Sequence, residues 1–489
     1  MAKSVAKNAL YSGLRTLSTV LFPLITYPYA SRVLLADNLG KVDFSVSLVS
    51  YFLLVAGLGI TNYATREGAR VREDQEELDR FSSEVFTINL CSTVISYTLL
   101  AALVVAWPHL QGYAALLAIQ SLTIIGTTIG VEWLYALSED FGYITARTLV
   151  VQVVSAVLLF ALVKQQSDYI VYAAIIVLSN VGANVFNFVR SRRHARIRLV
   201  WNFDAKRHLI PMLVLFGNTI ATSIYINLDV TILNVIRGDH DVGIYGLAVK
   251  LYTGVKQFLN ALAMVSLPRL SLYLASGRSD DYVSLIRSIV HSLIIVVLPC
   301  ILLLFLLADP AVLLFGGPGF VESVDSLRVL CVALAPAVFA AFMVNSVLLP
   351  NLQERYVLAS TILGAVVNLA LNLVVIPIYG PVGAAFATAV AEFSVLGVTT
   401  FFARPFIDLR RLVASQVRVF AATIIGMCAM AVVCTLLHRS FGDSLIGFAI
   451  TGIASLGIYA IVLFIARDSL VMRLVGRLRG PRKAPTTDE

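Results

Sequence analysis

Charged residues are scarce in this sequence. They make up 13% of the 489 residues, whereas soluble globular domains have about 25%. Apolar residues reach 58%. So few charges cannot cover the surface of a water-soluble protein of this length. The composition therefore excludes a soluble globular domain and indicates a chain that is solvated by lipid.

Recognisable catalytic and metal-binding motifs are also missing. The five cysteines and six histidines are scattered, and none has the spacing of a metal site or a disulfide framework. The sequence contains no Walker loop, no nucleophile elbow and no His-Glu-x-x-His motif. We therefore predict a protein that is not an enzyme and needs no cofactor. The first ten residues lack the cleavage site of a secretory signal peptide, so the first apolar run is predicted to be retained.

The sequence is rich in apolar runs that are long enough to cross a bilayer, which takes about 20 residues in a helix. The breaks between them carry turn-forming or charged residues, as at Leu39-Gly40-Lys41 and Arg237-Gly238-Asp239. The predicted fold is an all-α polytopic membrane protein with 14 transmembrane helices. The predicted spans are 10–33, 42–64, 82–106, 114–137, 143–163, 170–189, 209–236, 242–267, 284–308, 323–349, 357–378, 383–403, 416–438 and 444–466.

Basic residues in the loops predict the orientation of these spans. With a cytoplasmic N-terminus, the cytoplasmic segments hold 25 lysines and arginines and the opposite face holds five. By the positive-inside rule, both termini are cytoplasmic and the protein spans the inner membrane many times. The net charge of +8 then reflects membrane topology and implies no nucleic-acid partner. The basic run 190–198 is interpreted as an anchor to the lipids of the inner leaflet.

Two stretches of the chain are similar to each other. Gly40 lies between spans 1 and 2, Gly243 lies at the start of span 8, and in each case an arginine, Arg66 or Arg269, follows 26 residues later. This pattern predicts two six-helix lobes that are related as parallel repeats. The predicted segments are an N-terminal lobe at 1–190, a basic cytoplasmic linker at 191–208, a C-terminal lobe at 209–403, spans 13 and 14 at 404–466, and a cytoplasmic amphipathic helix with a disordered tail at 467–489.

Four stretches resemble a known family: Phe22–Arg32, Gly57–Glu67, Leu228–Arg269 and Val367–Glu392. In them the sequence is similar to the polysaccharide transporters, the Wzx-type O-antigen flippases of the multidrug/oligosaccharidyl-lipid/polysaccharide exporter superfamily. One departure is Leu35-Ala36-Asp37, where the family more often has Leu-Gly before the acidic residue. The resemblance implies a V-shaped pair of lobes that work by alternating access.

The resemblance also implies the substrate and the partners. The substrate would be an undecaprenyl-diphosphate oligosaccharide, such as the repeat unit of O-antigen or another surface polysaccharide. Membrane lipids, a polysaccharide polymerase and glycosyltransferases are the expected partners. Transport is expected to be coupled to H⁺ or Na⁺.

A diphosphate-linked sugar needs a polar, cationic path, because a bare ion is very costly to bury in hydrocarbon. Lys256 lies near the middle of span 8, and Lys250 lies about 9 Å outward of it. Arg15 and Arg147 lie about five residues inside the inner ends of spans 1 and 5. The predicted substrate-binding residues are these four cations and the polar residues that share a face with the two lysines, Tyr252, Asn260 and Gln257. The alternative for each lysine is an internal ion pair.

Three acids also fall within the predicted spans, Glu132, Asp229 and Glu392. Such carboxylates either balance a buried cation or bind the coupling ion, and the sequence leaves both roles open. Three other functions remain as alternatives. A multidrug antiporter would be expected to have an acidic or aromatic path, and a membrane polymerase or ligase would need a large outer loop, whereas the longest one here is 309–322. A lipid II flippase is the alternative that the sequence separates least well.

Overall fold

The computed structural model describes residues 5–138, 140–264, 267–442 and 444–472. Within these residues every regular element is a helix. The α-helices are α1 Val5–Gly57, α2 Ile60–Val71, α3 Gln75–Ala106, α4 Ala114–Gly130, α5 Glu132–Leu137, α6 Phe141–Leu162, α7 Tyr169–Val181, α8 Asn184–Ser191, α9 Ala205–Arg237, α10 Asp239–Met264, α11 Leu267–Ala275, α12 Ser279–Leu306, α13 Ala308–Phe315, α14 Ser323–Met343, α15 Glu354–Ala403, α16 Leu409–Ala414, α17 Val417–Phe441 and α18 Leu445–Ile465.

The helices confirm an all-α membrane protein. Ten helical stretches in the described part of the chain are long and apolar enough to cross a bilayer. Two of them, Gly13–Val71 and Glu354–Ala403, have 59 and 50 residues, more than twice the length that one crossing needs. Every predicted span lies on one or two helices. The total of fourteen crossings stays a prediction, and the predicted C-terminal tail after Met472 lies outside the described residues.

The chain packs as two units, and each has its own buried core. Unit 1 contains residues 1–247, 315–322 and 364–387, and unit 2 contains residues 248–314, 323–363 and 388–489. The core of unit 1 brings together side chains of α2, α3, α5 and the start of α9. The core of unit 2 is built mainly from α12, α14, α17 and α18. The lobe boundaries near residues 190 and 209 stay a prediction.

Two glycines allow α1 to cross the first turns of α10 closely. A Cβ atom on Gly40 would overlap the carbonyl oxygen of Asp239, and a Cβ atom on Gly243 would overlap that of Ala36. Gly40 and Gly243 are 203 positions apart in the sequence, and so are Ala36 and Asp239. The contact of Gly40 with Asp239 is therefore repeated by the contact of Gly243 with Ala36, in which the two helices exchange roles. This reciprocal crossing explains why both matching positions carry glycine.

The break inside α1 lies at Leu35, where φ is 61° and ψ is 176°. The matching residue, 203 positions later, is Gly238, with φ 91° and ψ −173°. The sequence predicts the first break at Leu39-Gly40-Lys41, and that position is wrong, because Gly40 is helical. Gly40 is required for the close helix crossing rather than for a turn.

We expect Gly40→Ala to lower the free energy of unfolding by about 1–3 kcal/mol, the usual range for forcing extra atoms into a packed contact. Gly13→Ala on the same helix is the matched control, because nothing lies within 4 Å of a Cβ atom there. Alanine in an open helical position should be neutral or slightly stabilising. Thermal unfolding of the detergent-solubilised variants measures both effects. Equal melting temperatures for the two variants would contradict this account of the crossing.

Candidate functional site

The first candidate site lies in unit 1, where two arginines share one carboxylate. Arg15 Nη2 lies 2.9 Å from Glu132 Oε2, and Arg147 Nη2 lies 2.7 Å from Glu132 Oε1. Arg147 Nη1 donates to Asn184 Oδ1 at 2.8 Å. We call Arg15, Glu132, Arg147 and Asn184 the arginine cluster. With two cations and one anion, its formal charge is +1.

Local chain geometry sets the positions of these side chains. Val131 adopts a left-handed conformation, with φ 38° and ψ 42°, and it separates α4 from α5. Glu132 is consequently the first residue of α5, where the free N–H groups of a helix favour a negative charge. Asn184 is the first residue of α8, and its Nδ2 donates to the carbonyl of Gly126 at 3.1 Å.

The arginine cluster opens onto a cavity of about 220 Å³. Polar side chains line much of it, including Asn89, Thr127, Thr128 and Asn180, together with Arg15 and Glu132. Arg147 is held more deeply, with only 7% of its side chain exposed, against 36% for Arg15. Arg15 and Glu132 line the cavity, whereas Arg147 binds Glu132 without lining it, so the excess positive charge belongs to the cluster as a whole. A cationic cluster beside a cavity suits an anionic group, because the cations can exchange the resident carboxylate for the oxygens of a ligand.

The second candidate site lies in unit 2. Lys256 Nζ lies 2.5 Å from Glu392 Oε1, and the Tyr252 hydroxyl donates to the same oxygen at 3.3 Å. The lysine also lies over the Tyr252 ring, 5.4 Å from its centroid. The Glu392 side chain is 6% exposed and that of Lys256 is 26% exposed. We call these three residues the lysine cluster, and its lysine–glutamate pair is formally neutral.

The remaining predicted site residues are placed as follows. Gln257 is exposed and Lys250 is half-buried. Asn260 Oδ1 is buried without a hydrogen-bond partner among the described residues. Asp229 is buried in unit 1, where Tyr245 Oη donates to its Oδ2 at 2.7 Å and Asn372 Nδ2 donates to its Oδ1 at 2.5 Å.

The structure thus joins Lys256 to Glu392, and Arg15 and Arg147 to Glu132. The sequence left Asp229 and Glu392 as the two candidate partners of Lys256, and the structure selects Glu392. No partner was predicted for Arg15 or Arg147, and Asn184 was not among the predicted site residues. One signal was available for it: Asn180, Asn184 and Asn187 follow one another at spacings of four and three residues, which places them on one face of a largely apolar predicted span. No group of three or more potential metal ligands occurs in the part of the chain that the structure describes.

Comparison with known proteins identifies the family of the chain. Residues 5–274, more than half of the chain, match the model of the family described as "Polysaccharide biosynthesis protein". The chain belongs to this family. The chain is also similar to two curated proteins named "Putative O-antigen transporter". The one from Escherichia coli (strain K12) is 22% identical over 408 residues, which cover 82% of this chain and 97% of the relative. The one from Shigella dysenteriae is 24% identical over 391 residues, which cover 77% and 94%.

Two solved structures show the same fold. The lipid II flippase MurJ in an inward closed conformation aligns with a TM-score of 0.72 and 14% identity, over 94% of this chain and 100% of that one. A multidrug resistance transporter of the MATE family, in an inward-facing conformation, aligns with a TM-score of 0.58 and 14% identity, over 83% and 98%. Both similarities show that the chain shares the fold of these two proteins.

Proposed function

We propose that this protein is a flippase for an oligosaccharide linked to undecaprenyl diphosphate. It would move the O-antigen repeat unit, or that of another surface polysaccharide, across the cytoplasmic membrane by alternating access. The observation that carries the proposal is the arginine cluster, which has a formal charge of +1 and opens onto a cavity inside a bundle of apolar helices. Family membership and the names of the two curated relatives support the choice of a polysaccharide precursor.

The charge of the arginine cluster also bears on the rival functions. A cationic drug would be repelled by two arginines that share one carboxylate, so the cluster favours an anionic substrate over the cations expected for a multidrug antiporter. Lipid II is also a diphosphate-linked saccharide, and it is the second candidate because the MurJ fold aligns along the whole of that chain. In both cases the ionic group to be carried is the diphosphate.

The proposal assigns roles to the predicted site residues. Arg15, Arg147, Lys250 and Lys256 would bind the diphosphate, and Tyr252, Gln257 and Asn260 would bind sugar or phosphate oxygens. The carboxylates Glu132, Asp229 and Glu392 would balance these charges or take up the coupling H⁺ or Na⁺. Both termini and the linker 191–208 would lie on the cytoplasmic side, where the substrate is assembled on its lipid carrier.

Deleting the gene should leave undecaprenyl-diphosphate-linked oligosaccharide on the inner face of the membrane and no polymer outside. The reason is that the charged head cannot cross hydrocarbon unaided. Extracted lipid-linked oligosaccharide and surface polysaccharide are the two readouts, and re-expression of the intact gene is the control. The purified protein in liposomes should move the substrate and neither make nor break a glycosidic bond. Glycosidic turnover by the purified protein would refute the proposal, and accumulation of lipid II alone would favour the second candidate.

A further inference from the structure

The segment between α8 and α9 is extended and hydrogen-bonded along α3. Its backbone N–H groups at Arg196, Arg198 and Val200 donate to the side chains of Asp79, Ser83 and Thr87, at 2.9, 3.0 and 3.1 Å. One step earlier, Gln75 Nε2 donates to the carbonyl of His194 at 3.0 Å. We call residues 194–201 the strap.

The spacing of this ladder follows from the two backbone geometries. The side chains on α3 are four residues apart, which is about 6.0 Å along a helix. The strap donors are two residues apart, which is about 6.6 Å along an extended chain. The two repeats match closely enough for consecutive bonds to form. A segment that the sequence predicts as a linker is therefore fixed to a helix of unit 1.

A second contact fixes the chain just after the strap. His208, near the start of α9, is buried between two partners: one ring nitrogen lies 2.8 Å from the Tyr63 hydroxyl and the other lies 2.8 Å from Glu84 Oε2. Glu84 lies on α3, next to the ladder residue Ser83. The strap is thus held along its length and again beyond its C-terminal end.

Because successive residues of an extended chain point to opposite sides, the strap has two different faces. Ala195 is fully buried and Ile197 packs against the core of unit 1. Arg196 and Arg198 are exposed, and neither has an ion-pair partner within the described residues. Leu199 and Trp201 follow the same alternation as the buried residues, yet they are 51% and 74% exposed, so the core no longer covers that side of the strap beyond Arg198. The exposed surface of the strap, which we call its outer side, is therefore basic and then apolar.

The position of the strap along α3 gives the depth of these groups. α3 has 32 residues, about 48 Å of helix, whereas the hydrocarbon core of a bilayer is about 30 Å thick. Its apolar run begins near residue 82, so Asp79 and Ser83, beside the two arginines, lie at the border of that run. Thr87, beside Val200, lies about 6 Å further in than Ser83. Arginine at the headgroups and tryptophan just below them is the arrangement of a membrane interface.

We propose that the outer side of the strap is a binding site for anionic phospholipid headgroups, with Arg196 and Arg198 on the phosphates and Trp201 and Leu199 among the upper acyl carbons. The site does not depend on which substrate the protein carries. Because the ladder fixes the backbone, the arginines are presented at a set depth rather than on a flexible loop. An acidic protein or a nucleic acid would bind the arginines and leave the large exposed Trp201 unexplained.

Tryptophan fluorescence tests the site directly, because the chain has only three tryptophans. Replacing Trp107 and Trp133 by phenylalanine leaves Trp201 as the single reporter. The protein is placed in nanodiscs that contain brominated phosphatidylglycerol or, at the same mole fraction, brominated phosphatidylcholine. Since each basic residue at an anionic surface contributes about 1 kcal/mol, or about fivefold, phosphatidylglycerol should be enriched beside Trp201 about fivefold or more.

Two double variants identify the residues responsible. Arg196→Gln with Arg198→Gln should abolish the preference of Trp201 for phosphatidylglycerol. Arg404→Gln with Arg410→Gln removes the same charge from two exposed arginines of unit 2 and should leave the preference unchanged. Equal quenching by both lipids in the parent protein, or no quenching by either, would overturn the proposal. The proposal would also be overturned if inorganic phosphate competed with phosphatidylglycerol more strongly than chloride does at equal ionic strength, because the site would then bind a soluble anion.

Trp133 is buried in the core of unit 1, so the single-tryptophan variant carries a risk of misfolding. A second measurement uses the otherwise unaltered protein. Native mass spectrometry should find fewer phosphatidylglycerol molecules retained by the Arg196→Gln, Arg198→Gln variant than by the unaltered protein or the unit 2 control. Equal retention in all three proteins would also overturn the proposal.

Discussion

Lys256→Ala should reduce transport about 10–100-fold while the protein still inserts into the membrane. A hydrogen bond to a charged group contributes roughly 1.5–3 kcal/mol, and about 1.4 kcal/mol corresponds to a tenfold change in rate. Lys256→Arg should keep more activity because it keeps the charge. Lys206→Ala, which removes an exposed lysine outside both clusters, is the matched control and should have a much smaller effect. Polysaccharide export, normalised to the amount of protein in the membrane, is the measurement.

The ion pair with Glu392 makes a sharper version of this experiment possible. If Lys256 only balances the buried carboxylate, the single variant leaves that acid unpaired, and neutralising it should restore function. The double variant Lys256→Ala, Glu392→Gln distinguishes the two roles. We expect it to stay inactive at normal membrane levels, because the substrate diphosphate still lacks its cation. Recovery of transport in the double variant would mean that Lys256 has a charge-balancing role and does not bind substrate.

Arg147→Ala should lower the free energy of unfolding by about 3 kcal/mol, the lower end of the range for breaking a buried ion pair. The change removes one of the two cations on Glu132 and leaves Asn184 Oδ1 without its donor. Arg15→Ala removes the other cation from a side chain that is 36% exposed, so its effect should be about 1 kcal/mol or less. Thermal unfolding in detergent measures both variants.

A compensating variant separates charge from packing in the arginine cluster. Arg147→Met with Glu132→Gln removes both members of the pair and keeps similar volumes, so stability should recover toward that of the parent. Its transport should remain low, because one of the two arginines that would bind the diphosphate is gone, although the formal charge of the cluster stays at +1. If Arg15→Ala and Arg147→Ala lower the free energy of unfolding equally, the different burial of the two arginines does not determine how much each one stabilises the protein.

Much of the fold could be predicted from the sequence because lipid imposes a strong rule. A spanning helix must be apolar along about 20 residues, and that pattern is visible without knowing the neighbours of any residue. The positions of the breaks between helices were harder to predict. Gly238 is a glycine at a positive φ, as expected, whereas the break in α1 falls on Leu35, which has no intrinsic preference for φ 61°. Packing of the surrounding helices selects that conformation.

The pairing of the site charges could be predicted only in part, because the sequence left Asp229 and Glu392 as equal candidates for Lys256 and offered no partner for the arginines. The depth of Lys256 follows from its place in an apolar run, but its partner Glu392 lies 136 residues away along the chain. Arg15 and Glu132 are 117 residues apart. Which acid meets which base depends on how helices from distant parts of the chain pack, and one sequence contains no direct record of that. The roles of these residues in binding and coupling stay predictions.

The reciprocal glycine crossing has a consequence for the ancestry of the chain. His240 Nδ1 lies 3.3 Å from Asp37 Oδ2, and these two residues also occupy matching positions 203 apart. A contact between residues at matching positions of the two repeats is typical of an isologous interface. Two identical subunits form this kind of interface across a two-fold axis. The crossing of α1 and α10 is therefore the contact expected of a homodimer of half-length proteins. Fusion of two such gene copies would have preserved it, and each half could then diverge everywhere except where the two backbones touch.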